Sequence, residues 1–234
     1  MGLRFQRPLV AGRLVRRYKR FLADVRLDDG EIVVAHCANT GSMKTLLRKN
    51  ARVLLSRAKD PKRRTPFTWE MIRVGRTWAG INTVRTNHVV HAALRRGRIP
   101  ELAGYDEILP ETPMGENRRA DFLLRSGEDL CWVEVKNVTM AENGHATFPD
   151  AITMRGRAHL HELMERVAEG HRAAMLYLVN RADCETAGPA TNIDPEYAEA
   201  AREAAAAGVE MLAYRARAGR SMIRVETRIP FRLD

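Results

Sequence analysis

Arg118-Arg119-Ala120-Asp121-Phe122-Leu123-Leu124 and Leu130-Cys131-Trp132-Val133-Glu134-Val135-Lys136-Asn137 decide how this chain reads. Each is an apolar segment of strand length, and the polar Ser126-Gly127-Glu128-Asp129 between them is a hairpin signal. Both carry charge where a buried strand should not. Glu134 and Lys136 are two residues apart, so on a strand they share one face while Val133 and Val135 point to the other. An antiparallel neighbour brings Asp121 to the face of Glu134 and Lys136. Two carboxylates that close repel unless a cation lies between them, and Mg²⁺ or Mn²⁺ takes oxygen donors of this kind. The Val135 carbonyl completes the expected metal ligands, Asp121, Glu134 and Val135. Lys136 would orient a water or offset developing negative charge, so Asp121, Glu134 and Lys136 are the candidate catalytic residues for phosphodiester hydrolysis. The competing reading is a cross-strand ion pair of Lys136 with Glu134 or Asp121 on a half-exposed sheet. The apolar flanks weigh against it, because charges in a central strand are costly unless paired or ligating.

The charge distribution points to the partner. Net charge is +10 over 234 residues, but residues 1–80 hold 19 Lys+Arg against 6 Asp+Glu, and residues 81–234 hold 20 against 23. The positive excess is confined to the first third, as in a polyanion-binding module joined to a nearly neutral one. No apolar run approaches the roughly 18 residues a membrane helix needs, and the N-terminus lacks a signal-peptide core. Cys37, Cys131 and Cys184 are odd in number and widely spaced, which fits reduced, buried thiols in a cytoplasmic protein.

Within 1–80, strands are expected at 8–18, 21–27, 31–37, 53–56 and 67–74, with a short helix at 44–48 between the third and fourth. That order is an OB-type barrel, a fold that binds nucleic acid with basic grooves and aromatic platforms. Arg16, Arg17, Lys19 and Arg20 surround Tyr18 and Phe21. Lys62, Arg63 and Arg64, with Lys59, precede Phe67 and Trp69. These clusters are the candidate DNA contacts, against the alternative of solvated loops. Thr40 to Ser42 either cradles a phosphate or caps the following helix.

The boundary falls near Gly80 with no Pro/Gly/Ser linker, so domains of 1–80 and 81–234 should abut. The second part reads α-β-β-β-α-β-α-β, with a helix at 84–96 capped by Asn82 or Thr83 and a stripe through Val84, His88 and Ala92. Strands follow near 108–112, at Asp121 and at Glu134. A helix spans 154–168, a strand 173–179, a helix 195–207 and a strand 209–214. On the 154–168 helix, Leu160, Leu163, Met164 and Val167 form the buried stripe, while Arg155, His159 and Glu162 make a polar line along one edge. Arg155 is a candidate phosphate contact. Glu111, in or just after the strand preceding Asp121, is a candidate third carboxylate; the alternative is a surface strand residue.

An α-β-β-β-α-β core with Asp on one strand and Glu-x-Lys on the next resembles the PD-(D/E)xK nuclease superfamily. The likeness implies Mg²⁺ at the acidic pair and a lysine assisting the attacking water. Asn39-Thr40-Gly41-Ser42-Met43, Arg119-Ala120-Asp121-Phe122, Val133-Glu134-Val135-Lys136-Asn137-Val138-Thr139, Phe148-Pro149-Asp150-Ala151 with Arg155-Gly156, Ile193-Asp194-Pro195 and Gly208-Val209-Glu210 together resemble the sugar fermentation stimulation protein A (SfsA) family. The resemblance spans the chain. It implies an OB-like N-terminal domain, a nuclease-like C-terminal domain with a mixed sheet, and DNA binding without sequence preference. One departure is that the 84–96 helix carries no Asp or Glu, where many such nucleases place a further acid.

Two functions follow. One is an Mg²⁺-dependent DNA nuclease whose barrel grips the phosphate backbone. The other is a non-cleaving DNA-binding regulator of sugar-utilisation genes on a nuclease-like scaffold. No helix-turn-helix reads convincingly, and neither a GxGxxG turn nor a Walker-type loop is present, so an operator reader and a nucleotide-dependent sugar enzyme are both disfavoured. Oligomeric state is not encoded in any of these features.

Overall fold

The computed structural model describes residues 2–60, 62–115 and 118–234. Five strands, β2 (Val10–Tyr18), β3 (Leu22–Leu27), β4 (Ile32–His36), β5 (Arg52–Arg57) and β6 (Phe67–Val74), follow a two-residue β1 (Leu3–Arg4). β2 pairs with both β3 and β5, β3 with β4, and β5 with β6, all antiparallel. A short parallel pairing of β4 with β6 (Ala35 beside Phe67, His36 beside Thr68) closes the barrel. This is OB connectivity, and closure leaves the strands no free edge between β4 and β6. A sixth strand, β7 (Thr77–Gly80), extends β6 by a hairpin that the sequence reading did not assign.

The helix expected at 44–48 is a single turn in which the Leu46 and Leu47 N–H groups reach the Met43 carbonyl. Met43 sits at φ 52°, and it and Leu46 are buried in the barrel core with Trp69, Leu55 and Val25. Plugging the barrel with those two side chains takes only one turn, so no helix propagates.

The rest of the chain builds a seven-stranded mixed sheet flanked by helices. α1 (Val84–Leu94) leads into β8 (Glu107–Pro113), β9 (Arg119–Ser126) and β10 (Asp129–Val138). After the short strands β11 (Ala141–Glu142) and β12 (His145–Phe148) come α2 (Met154–Ala168), β13 (Arg172–Val179), β14 (Thr186–Pro189), α3 (Pro195–Ala206), β15 (Glu210–Ala218) and β16 (Met222–Ile229). The sheet order is β1-β16-β15-β13-β10-β9-β8, with β11, β12 and β14 in a small separate sheet. β8, β9 and β10 are antiparallel; β10, β13 and β15 are parallel. The α-β-β-β-α-β order is therefore present, with β1, from the start of the 1–80 stretch, hydrogen-bonded into this second sheet instead of the barrel.

β10 is an interior strand, paired to β13 on one edge and β9 on the other, and its period of two divides the core. Cys131, Val133 and Val135 join Val89, Val90, Ala93 and Leu94 of α1, together with Leu54 and Met71 of the barrel. Trp132 and Val138 join Leu160 and Leu163 of α2 and Tyr197 and Ala201 of α3. The buried stripe of α1 is Thr86, Val89, Val90, Ala93 and Leu94, and Val84 is 66% exposed, which corrects the expected Val84/His88/Ala92 line. The i, i+3, i+4, i+7, i+8 set carries more apolar volume than a line through a histidine. On α2, Leu160 and Leu163 are fully buried and Met164 and Val167 only partly.

The barrel and the second sheet abut. Gly80 donates its N–H to the Asn180 carbonyl, and any Cβ at Gly80 would collide with the Asn180 amide. Glu70 of β6, 1% exposed, accepts from both Nε and Nη2 of Arg85 on α1, from Asn82 and from Ser56. Four donors on one buried carboxylate compensate its desolvation and tie β6 to α1. All three cysteines are free and buried. No helix among the described residues is long and apolar enough to cross a membrane.

Candidate active site

The β9–β10 ladder runs from Asp129 opposite Ser126 to Val133 opposite Phe122 and then stops. The next opposed positions are Glu134 and Asp121. The β8–β9 ladder pairs Pro110 with Phe122 and Thr112 with Ala120 but skips the pair between them, Glu111 and Asp121. Three carboxylate residues therefore stand in one row across β8, β9 and β10, at the point where both ladders are interrupted. Glu111 is exposed and held at φ 52°, a left-handed conformation that costs a non-glycine residue about 1–2 kcal/mol. Such strain is concentrated at functional sites.

Asp121 fills the gap in the ladder with its own side chain. Oδ2 accepts from the Val135 N–H at 2.7 Å, and Oδ1 accepts from Asn87 Nδ2 of α1 at 2.6 Å. Because a strand residue sends its N–H and carbonyl to the same edge, the Val135 carbonyl faces this gap too. Burial, and then the charge of Glu134, raise the Asp121 carboxyl from 3.8 to about 6, against the two hydrogen bonds and the charge of Lys136.

Glu134 is 5% exposed and has different company. Its Oε1 accepts from Lys136 Nζ at 2.7 Å and is in very short contact with His159 Nδ1. Arg155 Nε donates to His159 Nε2 at 3.2 Å, and His159 Nδ1 lies against both Glu134 Oε1 and Lys136 Nζ, the latter at 3.0 Å, so the ring is held between Arg155, Lys136 and Glu134. Burial pushes Glu134 up, but the hydrogen bond from His159 and the charge of Lys136 outweigh it and hold the carboxyl below its ordinary value. The two carboxylates are thus set apart: one stays ionised, and the other titrates near neutrality. All the donors at the row's centre are hard oxygens, two carboxylates and one carbonyl, and their mutual repulsion is what a divalent ion would relieve. The donor chemistry suits such an ion, with two carboxylates and a carbonyl as its ligands, since no three His, Cys, Asp or Glu side chains cluster as a metal cage among the described residues.

Two hollows meet over these residues. One, of about 520 Å³, and another, of about 990 Å³, share Asp121, Glu134, Arg155 and His159; the second is also lined by Glu111. The smaller is closed on one side by the barrel, through Arg20 and the Asn39-Thr40-Gly41 loop. That loop does hold an anion, but from this chain. The Met43 N–H and Ser42 Oγ donate to Asp150 Oδ2 at 3.1 and 3.4 Å, and a Cβ at Gly41 would collide with the Asp150 carboxylate. Thr40 and Ser42 cap no helix. Asp150 precedes Thr153, whose Oγ1 caps α2 by accepting from the Gly156 N–H, so the barrel loop braces the helix that carries Arg155 and His159.

The expected DNA contacts divide in two. Arg17 donates to the carbonyls of Arg20, Asn39 and Gly41, so it holds the loop together. Arg16 pairs with Asp24 at 2.7 Å and lies over the Tyr18 ring. Lys19 and Arg20 form the exposed hairpin tip, both with positive φ, and Arg20 reaches the cleft. Lys62, Arg63 and Arg64 are exposed in the loop before β6, where Arg63 donates to Thr68 Oγ1. Phe67 and Trp69 are 4% and 0% exposed and belong to the barrel core, so they are not base-stacking platforms; Phe21, half exposed beside Arg20, is the aromatic left free. Glu162, at the end of the polar line on α2, is buried and paired with Arg118. Asn87 was not singled out from sequence: its contact with Asp121 spans 34 positions and leaves no local signal.

Residues 15–81 match the family described as SfsA N-terminal OB domain, and residues 84–221 match the one described as Sugar fermentation stimulation protein RE domain. The chain belongs to the SfsA family. Sugar fermentation stimulation protein homologs from Geotalea daltonii and Geobacter sulfurreducens are each 50% identical to it, over 95% of this chain and 96% of the former, and 96% of each for the latter. The solved structure of Pyrococcus furiosus SfsA in complex with Ca²⁺ superposes with a TM-score of 0.89 at 25% identity, covering 99% of both chains. The two family matches divide SfsA at the same place as the barrel and the second sheet, between residues 81 and 84.

Proposed function

We propose that this SfsA protein is a divalent-metal-dependent phosphodiesterase acting on DNA, with Mg²⁺ or Mn²⁺ as its ion. The observation that carries the reading is the row of opposed carboxylates, Glu111, Asp121 and Glu134, at interrupted ladders with Lys136 beside it and a basic barrel loop above. Asp121, Glu134 and the Val135 carbonyl would hold the ion, and Glu111 stands at the open end of the row. When bound, the ion would lower the pKa of a coordinated water and offset charge on the phosphate. That a Pyrococcus relative of the same fold was solved with Ca²⁺, another hard oxygen-seeking cation, supports a divalent site here.

The protein groups have separable tasks. His159 and Lys136 both bond Glu134 Oε1, which leaves Oε2 to ligate and fixes the carboxylate's plane. Lys136 also lines the smaller hollow, where its ammonium would meet a water or phosphate oxygen. Arg155, on the rim and already bonded to His159, supplies a second positive charge to the phosphate. Arg20 and Lys19 on the barrel tip would bind flanking phosphates, a contact that is independent of base identity. α1 contributes Asn87 and no acid to the site, and that absence favours the second reading, a DNA-binding protein of sugar-utilisation genes that does not cut.

Incubating single-stranded, duplex and branched DNA with the protein in Mg²⁺, Mn²⁺ or EDTA, beside Glu134→Ala, separates the two. Cleavage that needs the ion and is lost in Glu134→Ala is expected. Retention of DNA without cleavage of any form in either metal would leave the binding-only reading.

A further inference from the structure

The carboxylate cleft is not the only cavity between the barrel and the second sheet. On the opposite side of the α1 N-terminus lies a hollow of about 630 Å³, lined by Arg4, Arg7, Arg57, Lys59, Arg63 and Arg85. These cations come from four separate parts of the chain: the N-terminal segment, the end of β5, the loop before β6, and α1. Glu70 at the base is saturated by Arg85, Asn82 and Ser56. Arg4, Arg7, Arg57, Lys59 and Arg63 form no ion pair with any carboxylate among the described residues. Five uncompensated cations converging on one concave wall raise its potential well above that of scattered surface lysines, and such a wall attracts polyanions.

The hollow is next to the cleft. Ala38, Asn82, Val84 and Arg85 line one, while Asn39, Thr83, Thr86 and Asn87 line the other. Only the first turn of α1 and the Thr83 Oγ1 to Ala38 carbonyl bond separate them. Building on the phosphodiesterase reading of the cleft, we infer that a DNA strand leaving the cleft crosses this saddle and lays its next phosphates in the cationic hollow. The protein would then hold two stretches of one strand, one at the carboxylates and one at Arg4, Arg7 and Lys59. Crossing one helix of about 10–12 Å diameter takes roughly three nucleotides at about 3.4 Å per phosphate. With about one phosphate at the carboxylates, about three over the saddle and about two in the hollow, a strand shorter than about six nucleotides reaches only the cleft.

The N-terminal segment gives the inference a handle independent of the barrel. β1 is pinned to β16 by its backbone, so the exposed side chains of Arg4 and Arg7 can be changed without touching either core. Fluorescence anisotropy of the full-length protein with labelled oligothymidylates of about 4 and about 24 nucleotides tests it. Arg4→Glu/Arg7→Glu should weaken the long strand on the order of tenfold, leave the short one unchanged, and make the log–log salt slope shallower by about 1.4. Arg95→Glu/Arg96→Glu, with the same change in net charge at the far end of α1, should leave the long strand nearly unaffected. Equal loss from both pairs would reduce the effect to net charge and overturn the hollow as a site. An unchanged long-strand affinity in the Arg4/Arg7 variant would overturn it while leaving the cleft reading intact. Binding of tripolyphosphate that depends on Arg4 and Arg7, with DNA affinity unaltered, would make the hollow a small-anion site and also refute the strand path. If wild type binds neither oligonucleotide, the reading of the cleft fails first.

Discussion

Asp121→Asn in metal-free protein probes the repulsion at the heart of the site. In the folded state burial and the charge of Glu134 hold the Asp121 carboxyl at about 6, against an ordinary value of 3.8. A shift of about two units corresponds to about 3 kcal/mol that ionised Asp121 costs the fold. The sign follows from the unfolded chain losing its proton first as pH rises. Below pH about 4 both states are protonated and there is no cost; it accumulates between about 4 and 6 and is complete above. Asparagine preserves the contacts, because its oxygen can accept from Val135 and its amide can donate to a flipped Asn87. The variant should therefore match wild type near pH 4 and exceed it by up to about 3 kcal/mol at pH 8, roughly 6–12 °C in Tm for a chain of this size. Thermal denaturation in EDTA across that pH range reads the difference directly. Millimolar Mg²⁺ or Mn²⁺ should then reverse the order at pH 8, since only wild type gains by binding. A variant less stable than wild type at every pH, or offset by a constant amount, would refute the argument that the hydrogen bonds to Asp121 fail to offset its burial and the charge of Glu134.

Isothermal titration with Mn²⁺ should show binding to wild type that Asp121→Asn and Glu134→Gln each weaken; equal binding by all three would remove these ligands. Gly41→Ala would push the Asp150 carboxylate out of its loop, losing the Met43 N–H bond, and should cost about 1–3 kcal/mol. Asp150→Ala should cost a similar amount and the two changes together little more, so additive losses by thermal denaturation would contradict the contact. Glu70→Ala strands Arg85, which is 24% exposed, and should destabilise by about 3 kcal/mol, discounted somewhat for that exposure; a chemical denaturation midpoint within error of wild type would show that the junction of β6 and α1 does not depend on this ion pair.

Much of this was legible because the local signals were strong and mutually consistent. Ser126-Gly127-Glu128-Asp129 between two apolar runs is a hairpin, and the period of two alone places Glu134 and Lys136 together and away from Val133 and Val135. The bounds of α2, Met154–Ala168, coincide with those expected, set by the Thr153 cap and Gly170. What escaped was set by distant packing. β16 is an exception, because its alternation of Ile223 and Val225 with Arg224 and Glu226 is a local strand signal that went unread; what packing adds is its place between β15 and β1. The α1 stripe turned on which of two faces met β10. Asp150 reaches Met43 across 107 positions, and nothing near either residue announces the pairing. The left-handed backbone at Glu111 has no sequence signal at all.

Lys136→Met tests the central claim most directly, because it divides cutting from holding. Methionine keeps the apolar stem of this β10 residue and removes the ammonium beside Glu134. Single-turnover cleavage in Mg²⁺, with DNA affinity measured in parallel on the same preparations, should show turnover reduced by about 10²–10³ with binding nearly unchanged. Equal cleavage by wild type and Lys136→Met would contradict the assignment of this cleft as the seat of phosphodiester hydrolysis.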